Sequence, residues 1–218
     1  MYDSKSRIDK AKKIRSVLEH YLGKKNLDEL RVMDIGCSTG IIDDYLSNFF
    51  KSLTGIDIDN KAIEYSKRNF EKTNLKFEIG DGLNLKFNDN SFDLVICTQT
   101  YEHVSSSKKL FSEIYRVLKK GGICYLTAMN KLWPLEPHYK IPFLSWLPKR
   151  IVPFYLESPK TYWQLRKEVS KFHLTDYTEK ILTNPKKFNY NIVRLPEIIA
   201  NNLKFFTPSF VWILEKNK

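Results

Sequence analysis

Apolar residues recur at helical spacing through Ile8, Ala11, Ile14, Leu18 and Leu22, and the pattern stops at Gly23, a residue suited to ending a helix. The spacing predicts an amphipathic first helix. Short apolar or alternating runs follow at 31–35, 53–58, 75–79, 92–97 and 123–128 and read as strands. Between them, helical patterns occupy 41–50, 60–72 and 108–118, the last preceded by the Ser105-Ser-Ser107 capping cluster and closed by Gly121-Gly122. Regular alternation of strand and helix predicts a parallel sheet with helices on both faces, whose ligand crevice lies at the carboxyl ends of the strands.

The residues just past each strand therefore carry the candidate chemistry. After the first comes Asp34-Ile-Gly-Cys-Ser-Thr-Gly40, a glycine-rich turn that lets backbone N–H groups approach a carboxylate-bearing ligand. A dinucleotide fingerprint would need glycine at 38 and 41, where Ser38 and Ile41 stand. After the second strand, Asp57 is at the separation from the turn at which an acid reaches a ribose hydroxyl pair, and Ile58 beside it could pack on a flat base. After the third, Gly80-Asp81-Gly82 offers a carboxylate to an exocyclic amine. Together these strand ends suggest an adenosine-like ligand with an amino-acid tail.

Val32-Met-Asp-Ile-Gly-Cys-Ser-Thr-Gly40, Gly55-Ile-Asp-Ile-Asp59, Gly80-Asp-Gly82 and Ser91-Phe-Asp-Leu-Val-Ile96 resemble, in order and spacing, the motifs of class I S-adenosylmethionine-dependent methyltransferases. Glu102-His-Val104 and Leu118-Lys-Lys-Gly-Gly-Ile123 extend the resemblance, which covers residues 28–130. It implies a Rossmann-like, doubly wound seven-stranded α/β sheet, mostly parallel with an antiparallel last strand. It also implies S-adenosyl-L-methionine as cofactor, with Asp34, Gly36, Cys37, Ser38 and Gly40 at its methionine end and Asp57 on the ribose hydroxyls. Ile58 would face the adenine, Asp81 and Gly82 would meet its amino group, and Thr98 and Gln99 would border the sulfonium. Ser38 departs from the pattern, since many members have glycine there.

Gln99-Thr-Tyr-Glu-His103 is similar to the Glu-x-x-Glu-His metal site of small-RNA 2′-hydroxyl methyltransferases and to a related arrangement in ubiquinone-type O-methyltransferases. Gln99 replaces a hard anionic ligand by a neutral amide, so no metal is expected. His103, after the fourth strand, and His138 are the candidate general bases. His20 and His173 read as ordinary surface residues without partners.

Composition divides the chain near residue 130. All eight glycines fall between Gly23 and Gly122, whereas all nine prolines lie between Pro134 and Pro208 and all four tryptophans lie beyond residue 130. Of the net charge of +11, residues 131–218 carry +8. One domain is expected: an N-terminal helix (1–27), a cofactor platform (28–130), a Pro/Trp-rich lid (131–157) and a C-terminal part (158–218). In that last part Ser158-Pro159 starts a helix over 162–172, strands occupy 176–182 and 210–214, and 183–207 is a second covering insertion. The lid's apolar and aromatic content predicts a small-molecule or lipid-like acceptor (lipid-, quinone- or glycan-linked) and a peripheral membrane contact through 131–157. The basic residues are interleaved with aromatic residues and proline rather than gathered in one tract, which argues against nucleic acid as partner. An RNA methyltransferase and a non-catalytic cofactor-binding scaffold are the alternative readings. Three scattered cysteines, the absence of a long apolar run and an N-terminus without a signal-peptide pattern predict a cytoplasmic protein with reduced thiols.

Overall fold

The computed structural model describes residues 3–23, 26–135, 139–148, 150–152 and 158–217. Helix α1 (Ser4–Leu22) is capped by Asp3, whose carboxylate accepts from the Ser6 N–H at 3.2 Å, and it ends at Gly23 with φ +82°. Then follow β1 (Arg31–Ile35), α2 (Ile41–Ser47), β2 (Ser52–Asp57), α3 (Asn60–Asn69), β3 (Leu75–Ile79), β4 (Phe92–Thr98), α4 (Ser107–Val117) and β5 (Leu118–Met129). After a long connection come α5 (Tyr162–Glu168), β6 (Phe172–Asp176), α6 (Thr178–Thr183), α7 (Glu197–Leu203) and β7 (Ser209–Lys216).

The strands form one sheet in the order β3-β2-β1-β4-β5-β7-β6. β1 to β5 pair in parallel, and β7 inserts antiparallel between β5 and β6, as the resemblance implies. Neighbouring residues of a strand point to opposite faces, so a sheet covered on both sides needs apolar side chains at consecutive positions. Val32, Leu94, Tyr125 and Ile213 pack on one face against Ala11, Ile14 and Leu18 of α1. Met33, Val95, Leu126 and Trp212 pack on the other against Leu110 and Ile114 of α4 and Leu165 of α5. Strand order reverses between β1 and β4, and there the crevice opens.

Three expectations need correction. The strand expected at 176–182 lies earlier, at β6, because Asp176 ends it: its Oδ1 accepts from the Thr178 N–H at 2.8 Å and turns the chain into α6. The helix expected over 162–172 starts from Thr161, which forms a reciprocal capping box with Gln164, and Phe172 already belongs to β6. Gly121-Gly122 does not close a helix. α4 runs into β5 at Leu118, and the glycines lie in a bulge where the register against β4 jumps, with Gly121 at φ +72°.

Asn130 anchors the connection after β5. Its side-chain N–H groups donate to the carbonyls of Phe205 (2.9 Å) and Thr207 (2.8 Å), and its Oδ1 accepts from the Leu132 N–H at 3.0 Å. The described part of 131–157 contains a 3-10 turn at Leu144–Trp146 and a small buried cluster of Leu144 and Val152. In the expected second insertion, Phe188 is buried against His20 and Tyr177, and Phe205 stacks on Trp163. His20 is thus not without partners: its Nδ1 lies 2.8 Å from the Tyr177 hydroxyl. Among the described residues no helix is long and apolar enough to cross a membrane.

Candidate active site

The turn after β1 is tied to β2 by the N–H groups of Gly36 and Cys37, which both donate to the Ile56 carbonyl, at 2.8 and 3.1 Å. Gly36 (φ +82°) is required sterically as well as conformationally, because a Cβ would meet the Thr100 hydroxyl at 2.6 Å. Ser38 sits at φ +50° in the left-handed region, with its N–H donating to Asp57 Oδ2 at 2.8 Å. The Asp57 Oδ1 accepts from the Asp59 N–H at 2.9 Å, so both carboxylate oxygens are oriented by backbone. The Asp81 Oδ1 accepts from the Leu83 N–H at 2.8 Å, which fixes the third strand end in the same way.

These elements enclose a crevice of about 440 Å³ walled by Gly36, Asp57, Ile58, Asp81, Gly82 and, from the end of β4, Thr98, Gln99 and Thr100. That volume suits a nucleoside-sized ligand. Ile58 is 74% exposed on its rim, an apolar side chain left uncovered beside a carboxylate, which fits a flat base lying over a ribose. The donor set therefore fits S-adenosylmethionine: Asp57 would hold the ribose hydroxyls, Asp81 the adenine amine and the Gly36 turn the amino-acid tail.

Some expected residues stand behind this wall instead of on it. Asp34, 2% exposed, lies beneath the turn with the fully buried Asp43 of α2. Gly55 makes room for them, since a Cβ there would run into the Asp43 carboxylate and Cys37. Burial raises both carboxyl pKa values, Asp34 to about 6 and Asp43 well above the ordinary carboxylate range, and the closeness of the two carboxyl groups adds to the rise at Asp43. Cys37 is buried, and Gly40 (φ +71°) packs where a Cβ would strike the Phe77 ring. Asp34, Cys37, Ser38 and Gly40 thus shape the turn, while Gly36 faces the crevice.

His103 is exposed and lines the mouth of the crevice, its N–H donating to the Thr100 carbonyl at 3.1 Å. Glu102 beside it is fully buried. His138 lies outside the described residues. Gln99, at φ +53°, accepts from Lys10 Nζ at 2.8 Å. The sequence alone did not assign Leu83, Thr100, Val104 or Ser105 to the crevice, which they also line; their signal is only their place a few residues past a strand end.

The profile of a family described as a methyltransferase domain matches residues 33–126, which contain every crevice residue named above. A sterol 24-C-methyltransferase of Gibberella zeae is 35% identical over 111 residues, 49% of this chain and 29% of that one. A ubiquinone biosynthesis O-methyltransferase of Pelagibacter ubique is 31% identical over 129 residues, 58% of this chain and 51% of that one. The chain therefore spans about half the length, or less, of these curated relatives. An S-adenosylmethionine-dependent methyltransferase structure from Mesorhizobium loti shares the fold, with a TM-score of 0.63 at 14% identity over 92% of this chain and 96% of that one. Its ordered strand-end motifs, its 3-2-1-4-5-7-6 sheet and the methyltransferase-domain match over residues 33–126 make the chain similar to the class I S-adenosylmethionine-dependent methyltransferases.

Proposed function

We propose that the protein transfers a methyl group from S-adenosylmethionine to a small or amphiphilic acceptor. The observation that carries the reading is the oriented Asp57 carboxylate beside the exposed Ile58, opposite a β4 end bearing Thr98, Gln99 and Thr100. When bound, the cofactor supplies an electrophilic methyl on a sulfonium, whose carbon–sulfur bond breaks toward sulfur as the acceptor's lone pair forms the new bond. The chain's own part is positioning: Asp57 and Asp81 fix the nucleoside, the Gly36 turn takes the amino-acid tail, and Thr98 and Gln99 border the reacting end. His103, at the mouth of the crevice, takes a proton from a hydroxyl acceptor.

The acceptor class rests on the apolar and aromatic side chains exposed along the described part of 131–157, Phe143, Trp146, Leu147 and Ile151, and on the small-molecule acceptors named for the curated relatives. In this reading 131–157 is a cover, and its apolar residues also touch a membrane surface where a lipid-like acceptor resides. Calorimetry with S-adenosylmethionine and its demethylated product tests the cofactor site; no binding at millimolar concentration would overturn it. Methyl transfer to cell extract split into lipid, small-molecule and RNA fractions tests the acceptor. Label confined to RNA would replace the small acceptor by nucleic acid, and no label in any fraction would favour a scaffold.

A further inference from the structure

A second, smaller cavity of about 140 Å³ lies between α1 and the ends of β4, β5 and β7. Thr98 and Gln99 line both it and the cofactor crevice, so the two spaces share a wall at the point where the reacting methyl would stand. Lys10 and Lys13 reach it from α1, Tyr125 and Thr127 from β5, and Tyr190 from the connection before α7; Ile14 and Ile42 give it an apolar floor.

Its charge is one-sided. No aspartate or glutamate lines it, and neither Lys10 nor Lys13 forms an ion pair with a carboxylate among the described residues. Lys10 Nζ donates to the neutral Gln99 Oε1, and Lys13 Nζ lies 4.6 Å from the Tyr190 ring centre. Burial, together with the charges of Arg7 and Lys13, holds the Lys10 ammonium below the usual lysine range, the condition in which an incoming anion gains most. Burial pushes the Tyr125 phenol well up and the Tyr190 phenol to about 12, so both stay protonated and able to donate. Gln99 is the link between the spaces: a non-glycine residue at φ +53° whose amide oxygen is already drawn toward Lys10.

We infer that this cavity is the acceptor subsite and that it takes an acceptor bearing an anionic group, a carboxylate or a phosphate, which Lys10 and Lys13 hold beside the shared wall. The inference rests on the methyl-transfer reading. It narrows the acceptor from any small molecule to an acid with a compact apolar body. The rest of a larger acceptor would leave past Ser209, next to Pro208, whose carbonyl accepts from the Asn130 N–H at 3.1 Å where the 131–157 segment begins.

The test uses the full chain saturated with the demethylated cofactor product and titrated with four probes of matched size: benzoate, phenyl phosphate, benzyl alcohol and benzylamine. At least one anion should bind about tenfold or more tightly than the alcohol or the amine, and comparison of the two anions identifies which group is held. Lys10→Met and Lys13→Met, which keep the side-chain stem, should each weaken that anion about tenfold. Lys12→Met, at a residue paired with Asp9 and outside the cavity, should not. Benzyl alcohol binding as tightly as both anions, or a Lys13→Met dissociation constant equal to that of the parent, would overturn the inference. Failure of the demethylated product to bind would instead defeat the methyl-transfer reading, because that titration reports on the crevice and not on the lysines.

Discussion

Residues 28–130 bury or partly bury nearly all of their large apolar side chains, whereas residues 131–217 bury most of those in α5, β6 and β7 but leave many others in solvent. In the first region the large apolar residues left exposed are Ile58, Tyr65 and Ile79, and Ile58 sits on the crevice rim. In the second, Phe143, Trp146, Ile151, Val193, Ile198 and Phe206 are all exposed by about half or more, and among the described residues of 131–152 the buried cluster is Leu144 with Val152. The contrast extends to backbone hydrogen bonding. Strand ends in the first region are pinned by carboxylates and carbonyls of neighbouring strands, whereas the connection after β5 hangs from a few polar anchors such as Asn130 and Ser145. A ligand site with fixed geometry belongs on the first kind of structure; the second kind is suited to meet partners of variable shape.

Core truncations test that contrast with the largest effects. Leu126→Ala, in the fully buried middle of β5, should cost about 3 kcal/mol in chemical denaturation, and Leu144→Ala about 1 kcal/mol, because a two-residue cluster can collapse around the gap. Equal losses would mean that 131–152 is as integral to the core as the sheet. Next, Asp57→Ala should weaken the demethylated cofactor product by about 1–3 kcal/mol in calorimetry, while deletion of 135–145 should leave that affinity largely intact. If the deletion weakened it as much, the two regions would share the cofactor.

The buried carboxyl pair gives a smaller effect with a defined sign. The Asp34 and Asp43 pKa values are raised above the ordinary carboxylate range, so the folded chain keeps a proton that the unfolded chain releases. For Asp34 that stabilisation is complete below about pH 4 and is lost as pH climbs through about 6, and for Asp43 it persists to higher pH. Asp43→Asn removes one of the two raised titrations, so its stability relative to the parent should improve by about 1–2 kcal/mol as pH rises from about 5 to about 8. A constant difference across that range, read from denaturation midpoints, would contradict the pairing. Smallest is Ser38→Gly: relief of a left-handed serine, offset by added unfolded-chain freedom, should stabilise the turn by about 0.5 kcal/mol without loss of cofactor affinity.

The sheet of the first region was legible because its strands are short apolar or alternating runs, the first three ended by glycine or aspartate, and those same strand-end residues carry the chemistry. Asp57, Ile58 and Asp81 were therefore readable together with their strands. The second region offered weaker signals. Asp176 reads equally well as a strand residue and as the cap that ends β6, and only the Thr178 N–H pointing at it decides. Gly121-Gly122 looks like a helix end when its φ serves a bulge. Asp34 and Asp43 meet by tertiary packing of β1 on α2, which no spacing announces, and Lys10 joins Gln99 across 89 positions of sequence.

The connection between β5 and α5 leaves the sheet and returns to it at one point. Asn130 and Lys160 form a parallel bridge, the Lys131 N–H donates to the Lys160 carbonyl at 3.1 Å, and the Lys160 N–H donates to the Tyr101 hydroxyl, which itself donates to the Met129 carbonyl at 2.7 Å. The clasp means that whatever lies between can be lengthened, shortened or exchanged while the strands on either side keep their register. Doubling such a loop costs only about 0.6 kcal/mol of closure entropy. The 131–159 segment is in this sense an interchangeable part, and descendants of the same sheet could take up new acceptors by replacing it without disturbing Asp57, Asp81 or the turn at Gly36.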